Sequence, residues 1–139
     1  MTESYEAVAL NDDDLLLRRI PPWHQNRKDR RPNSDTFDDD AGSPMSVYVK
    51  SLLTDRGLEP EVVLETHDGY ALAGVAVRLV RELGWTIEVE GGDPSDPYAF
   101  AHAHVVGDKR ARGPRRRVAR ECTLLRWPEE DSDAGVAGG

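Results

Sequence analysis

The sequence predicts an α+β fold: a small mixed sheet of about four to five short strands, packed on one main helix over about 67–83 and on a second, C-terminal helix. Leu72, Val75, Ala76, Leu79, Val80 and Leu83 recur at helical spacing ahead of Gly84. Directly after that glycine the period changes from 3.6 to 2, as Trp85, Ile87 and Val89 alternate with Thr86, Glu88 and Glu90. Pro114 then offers a helix start at its first position, with the helix running through Val118 and Cys122.

The other elements follow in chain order. Residues 11–14, Asn-Asp-Asp-Asp, either cap a helix or stay solvated. The apolar run at 15–20 stops at Pro21-Pro22, too short for more than a strand or one helical turn. Residues 21–44 form a long polar loop in which Trp23 and Phe37 are the two aromatics, expected to pin it to the core. Its Asp38-Asp39-Asp40 run is expected to remain solvated or to pair with Arg19. Met45 to Val49 alternates with period two and reads as a strand, continued by a short helix over 50–56 that Gly57 ends. Glu61-Val62-Val63-Leu64-Glu65 is a further strand candidate. The helix over 67–83 takes Thr66 or Asp68 as N-cap and Gly84 as its C′ residue. Residues 91–97 are a turn-rich loop, 101–106 a strand, and 123–127 the last strand.

Residues 15–127 therefore make one domain, with an acidic, poorly ordered N-terminus over 1–14 and a disordered acidic, Gly-rich tail over 128–139. The chain is 38% hydrophobic and 32% charged, with a net charge of −8, so it is not steered as a whole toward nucleic acid or anionic lipid. The single cysteine, Cys122, excludes an intramolecular disulfide. No run of eighteen apolar residues is present, and the acidic start lacks the basic and apolar regions of a secretory signal. These features predict a cytoplasmic protein with no membrane partner. Arginine dominates over lysine, which occurs only at 28, 50 and 109, as in the proteins of GC-rich bacterial genomes.

Three constellations carry candidate chemistry. His102 and His104 share a strand face, and with His67 they are candidate metal ligands, although a zinc site needs three or four converging groups. Lys109, Arg110, Arg112, Arg115, Arg116, Arg117 and Arg120 form a basic segment suited to phosphates, to an acidic partner, or to the chain's own Asp-rich stretches. Trp23 and Phe37 join them as candidate binding residues. The third constellation is Arg19 with Ser46 and Tyr48, an arginine ending one strand and two hydroxyls in another. An NAD-handling site needs such parts: arginine for phosphate, an aromatic face for nicotinamide, and a carboxylate for the oxocarbenium charge, for which Glu65 and Glu90 are candidates.

That order of residues resembles the RES-type and other ADP-ribosyltransferase-like toxins, although their glycine-rich Arg-Trp stretch is missing. More of the chain, about residues 15–127, resembles a group of small uncharacterised bacterial proteins, chiefly actinobacterial. The matching stretches are Leu17-Arg18-Arg19-Ile20-Pro21-Pro22-Trp23, Arg31-Pro32-Asn33-Ser34 with Phe37, Ser46-Val47-Tyr48, the expected helix from Leu72 to Gly84, Asp96-Pro97 leading to Ala101-His102-Ala103, and Val105-Val106-Gly107. This resemblance implies a bacterial cytoplasmic setting and transfers no catalytic residue. The expectation is a non-enzymatic interaction or accessory protein of a multi-protein system, binding a larger partner and needing no cofactor. The alternatives are an NAD-handling enzyme using Arg19, Ser46 and Tyr48, and a nucleic-acid-binding module acting through 109–120.

Overall fold

The computed structural model describes residues 10–26, 28–40, 42–89 and 94–128. The expected N-terminal disorder at 1–9, the tail at 129–139 and the candidate Glu90 lie outside these residues. An antiparallel sheet is built from β1 (Leu15–Ile20), β4 (Met45–Val49), β5 (Ala71–Ala76), β6 (Thr86–Val89), β7 (His102–Val106) and β8 (Thr123–Arg126). Its order is β6-β7-β4-β1-β5-β8, so β1 lies inside the sheet, paired with β4 through Leu17 and Tyr48 and with β5 along its whole length. The class is α+β as expected, but the sheet has six strands and every described pairing is antiparallel, where a mixed sheet of four to five was predicted. The 21–44 loop also carries a two-stranded ribbon, β2 (Gln25–Asn26) with β3 (Arg31–Pro32), that the sequence did not announce.

Both faces of the sheet are covered. Successive side chains of a strand point to opposite faces, and the two cores divide accordingly. Leu16, Ile20, Val47, Ala73 and Val75 pack with Phe37, with Val77 and Val80 of α2 (Val77–Glu82), and with Val118 of α3 (Arg112–Glu121). On the other face Leu17, Tyr48 and Leu72 pack with Leu53 of α1 (Lys50–Thr54), Val63 of the 3-10 turn Pro60–Leu64, and Ala101.

The predicted helix over 67–83 is corrected. Only 77–82 are α-helical; 71–76 form β5, an inner strand buried on both faces. Thr66 and Asp68 therefore cap nothing, and the N-cap position of α2 is Ala76. A strand covered on both sides has no polar alternation, so its apolar run satisfies helical spacing equally well. The expected strand at 61–65 is likewise a 3-10 turn, opened by Pro60, whose missing N–H costs nothing at a helix start. Pro114 is the third residue of α3, where the amide would also lack an intrahelical partner. No helix of the described residues is long and apolar enough to cross a membrane.

Residues 11–14 belong to the folded body. The amides of Val77 and Arg78, at the start of α2, donate to the carbonyls of Asp14 and Asp12, each at 3.0 Å. The Asp14 carboxylate accepts from the Ser51 amide at 3.2 Å and hydroxyl at 2.5 Å, at the start of α1. Asp12 and Asp13 pair with Arg81 and Arg78 on the surface.

Where β7 ends, Gly107 lies against Trp85, whose indole N–H donates to the Asp108 carbonyl at 3.2 Å and whose ring faces the Lys109 ammonium at 5.3 Å. A Cβ at Gly107 would lie 2.4 Å from Trp85 Cδ1 and 3.3 Å from its Cα, so backbone as well as side chain would have to move. Gly107→Ala is expected to destabilise the fold by about 1–3 kcal/mol, the usual range for forced overpacking. Chemical denaturation measures it, and an unchanged midpoint would show that Trp85 does not press on this turn.

Candidate functional site: the Arg19 cleft

Adjacent residues in a strand face opposite ways, so Arg18 and Arg19 of β1 leave the sheet on different sides. Arg18 meets the Asp-rich loop. Its Nε donates to the Thr36 carbonyl at 2.9 Å, Nη1 to the Ser46 carbonyl at 2.8 Å, and Nη2 to Asp40 Oδ1 at 2.9 Å. Burial pulls the Asp40 carboxyl up, but the hydrogen bond and charge of Arg18, with the Ser46 amide, outweigh it and hold the group below its ordinary pKa. The expectation that Arg19 would take the Asp38–Asp40 run is corrected by one position: Arg18 takes it.

Arg19 is half-buried, and its acceptors are all neutral. Nη1 donates to the Val63 carbonyl at 3.4 Å and to the His67 ring, whose nitrogens lie 2.8 and 3.1 Å away; Nη2 donates to Tyr48 Oη at 3.1 Å. Its Nε has no acceptor among the described residues. The Tyr48 ring is 5% exposed and packs in the core, while its hydroxyl reaches the cleft and donates to the Asp96 carboxylate. Burial, reinforced by the hydrogen bond to Asp96 and opposed by the Arg19 charge, pushes the Tyr48 phenol up to about 12, so it remains a proton donor near neutral pH. Burial and the Arg19 charge hold His67 below its ordinary value, with Asp96 pulling the other way.

These groups line an open cleft of about 410 Å³ that also includes Glu65, Thr66, Pro97 and Tyr98. Tyr98 donates to Glu65 at 2.6 Å, linking the loop before β7 to the turn before β5. A second cleft of about 440 Å³ adjoins it, sharing Arg19, Tyr48 and His67, and is lined by Ser46, Asp40, Trp23 and Tyr70. Arg19 and Tyr48 thus line both clefts, with Glu65 in the first and Ser46 in the second. Sequence reasoning gave Asp96 and Tyr98 no role in the site; Asp96-Pro97 stood out only as a turn signal and within the resemblance.

The other candidates are placed differently. His102 and His104 stand edge to face at 4.9 Å, with His102 also edge-on to Tyr48 at 5.7 Å. His67 is engaged with Arg19 instead. Among the described residues no group of three or more His, Cys, Asp or Glu side chains could hold a metal ion. Phe37 is fully buried in the core, out of reach of any partner, whereas Trp23 is 70% exposed, edge to face with Tyr70 at 6.2 Å. Burial raises the Cys122 thiol to about 11, which leaves it protonated and unreactive at neutral pH. Much of the basic segment is neutralised within the chain. Lys109 is enclosed against Asp39 at 2.7 Å, Arg115 meets Asp35 at 3.0 Å and Asp38 at 3.7 Å, Arg110 holds Asp108, and Arg117 holds Glu82 and Glu121.

The contact between Arg19 and His67 has a direct signature. A histidine with a lowered folded pKa is neutral in the native state, while the unfolded chain takes up the proton first as pH falls. Its contribution to stability is therefore complete above the ordinary value of about 6.5 and declines as the pH drops toward the folded value. His67 is expected to titrate below about 6.5 by NMR, and Arg19→Gln to move it upward by removing the adjacent charge. A titration at or above the ordinary value in the unsubstituted protein would contradict the contact. No family model, no curated protein and no solved structure matches the chain.

Proposed function

We propose that this protein binds a small molecule through an anionic group seated on Arg19. One observation carries the reading: among the described residues a half-buried guanidinium has no acceptor for its Nε–H and only neutral acceptors elsewhere, in an open cleft. Guanidinium suits phosphate and carboxylate because its planar donors bind them in pairs. Arg18, one residue away, has its carboxylate in Asp40. Among the described residues Arg19 has none in direct contact, and Asp96 meets it only through the Tyr48 hydroxyl. A buried charge without a counter-ion is costly, and a bound anion would offset that cost.

Among ligands that combine an anion with hydroxyls and a flat ring, NAD is the one the sequence reading already singled out. The surroundings of Arg19 support it: Asp96 and Glu65 can accept from ribose hydroxyls, and the exposed Trp23 lines the adjoining cleft. In the enzymatic form of this reading the Glu65 carboxylate stabilises the positive charge that develops as the ribosyl C–N bond breaks. Nicotinamide leaves with the bonding electron pair, and water or another nucleophile closes the ribosyl centre. Calorimetric titration with NAD and ADP-ribose tests binding, and chromatography of released nicotinamide tests turnover. Arg19→Gln is expected to weaken binding about 10- to 100-fold, the worth of a charge-assisted hydrogen bond. Glu65→Gln is expected to stop nicotinamide release while binding persists. Absence of binding of both ligands at millimolar concentration would overturn the NAD reading.

The accessory-protein reading keeps one specific support, Trp23, the one large hydrophobic exposed among the described residues. Tryptophan is the residue type most often found at the energetic centre of protein interfaces. Trp23→Ala is expected to release a partner retained in co-purification with the products of neighbouring genes. Retention equal to that of the unsubstituted chain would remove this support.

A further inference from the structure

The basic segment sorts into two sets once its ion pairs are drawn. Lys109, Arg110, Arg115 and Arg117 are each held by carboxylates of the chain. Arg112, Arg116 and Arg120 are exposed and have no acidic partner among the described residues. They stand at i, i+4 and i+8 of α3, so they form one row along the outer face, with about 6 Å of rise per step. Three like charges in a row repel one another, and the described residues give them no neutralising carboxylate.

At the C-terminal end of this row Arg31 of β3 donates to the carbonyls of Ala119 and Arg120, each at 2.6 Å, bringing a fourth cation to the same end of the helix. The row thus concentrates positive charge on one face of a chain whose net charge is −8. No residue of α3 is an exposed large hydrophobic, so the face lacks the apolar anchor around which protein interfaces are built. It also lacks the aromatic side chains on which unpaired bases stack. What remains is a linear array of guanidinium groups, which complements a regular row of phosphates.

We propose that the outer face of α3 binds the phosphate backbone of a nucleic-acid duplex through Arg112, Arg116 and Arg120, without reading base sequence. Such contacts position a protein and draw their strength from released counter-ions. The negative charge elsewhere on the chain opposes the approach, so binding is weak and confined to this orientation. The site is independent of the Arg19 cleft.

Fluorescence anisotropy of the full chain with a labelled duplex of about 20 base pairs, in about 25 to 200 mM salt, tests this. Three phosphate contacts predict a slope of about −2.7 in log affinity against log salt, which is about a 40-fold loss between 50 and 200 mM. Replacing Arg112, Arg116 and Arg120 together by Gln, a good helix former, is expected to abolish binding while leaving the melting temperature unchanged. Arg19→Gln is expected to bind the duplex as the unsubstituted chain does. Absence of binding at the lowest salt, or equal binding by the triple variant, would overturn the proposal. Equally tight binding of a poly-glutamate peptide at the same salt would also overturn it, by assigning the row to acidic protein segments.

Discussion

Two consecutive arginines in an inner strand cannot share a side of the sheet, and each guanidinium must be accommodated in its own layer. β1 imposes this on the molecule, because it lies inside the sheet and at both arginines is paired with β5, through Ala73 and Leu72. On one face Arg18 gathers the carbonyls of Thr36 and Ser46 and the carboxylate of Asp40. That demand gives the long segment between β1 and β4 a fixed course. Phe37 enters the core beside it, and Asp35, Asp38 and Asp39 are then in position for Arg115 and Lys109. A stretch whose composition is that of a solvated loop becomes a structural layer because a cation beneath it needs oxygen ligands.

On the other face Arg19 meets a different environment. Val63, His67 and Tyr48 supply neutral acceptors, and the Asp96 carboxylate stands one hydroxyl away, behind Tyr48, while Glu65 is engaged by Tyr98. Tyr48 therefore separates the Arg19 charge from that of Asp96 within the cleft. This is the arrangement that leaves room for an outside anion, since a direct ion pair would have closed the guanidinium.

The strands that alternate or sit beside strong turn residues were legible in the sequence: β1, β4, β6, β7 and β8 each fall within a predicted segment. β5 was not, because burial on both faces removes the alternation that separates a strand from a helix. Gly74 held a usable hint. A Cβ there would come within 2.9 Å of Leu15 Cδ1, and a glycine inside an apolar run is more at home where another chain segment approaches closely than in a helix interior. The Arg19, Ser46 and Tyr48 grouping could be read because both strands had been assigned. The dispersal of the basic segment could not, since the aspartates that take Lys109 and Arg115 lie about seventy to eighty positions earlier and only the fold brings them together.

The turn at 11–14 joins two layers that the sheet otherwise keeps apart. α1 and α2 are short and lie on opposite faces, and neither would hold its shape alone. Asp14 gives its carbonyl to one and its carboxylate to the other, through bonds to Val77 and Ser51. Fraying at one helix start therefore loosens the group that holds the other. The amides of Ser51 and Val77, at the starts of two helices on opposite sides of the sheet, are thus tied to one residue, whose release would expose both to exchange with solvent.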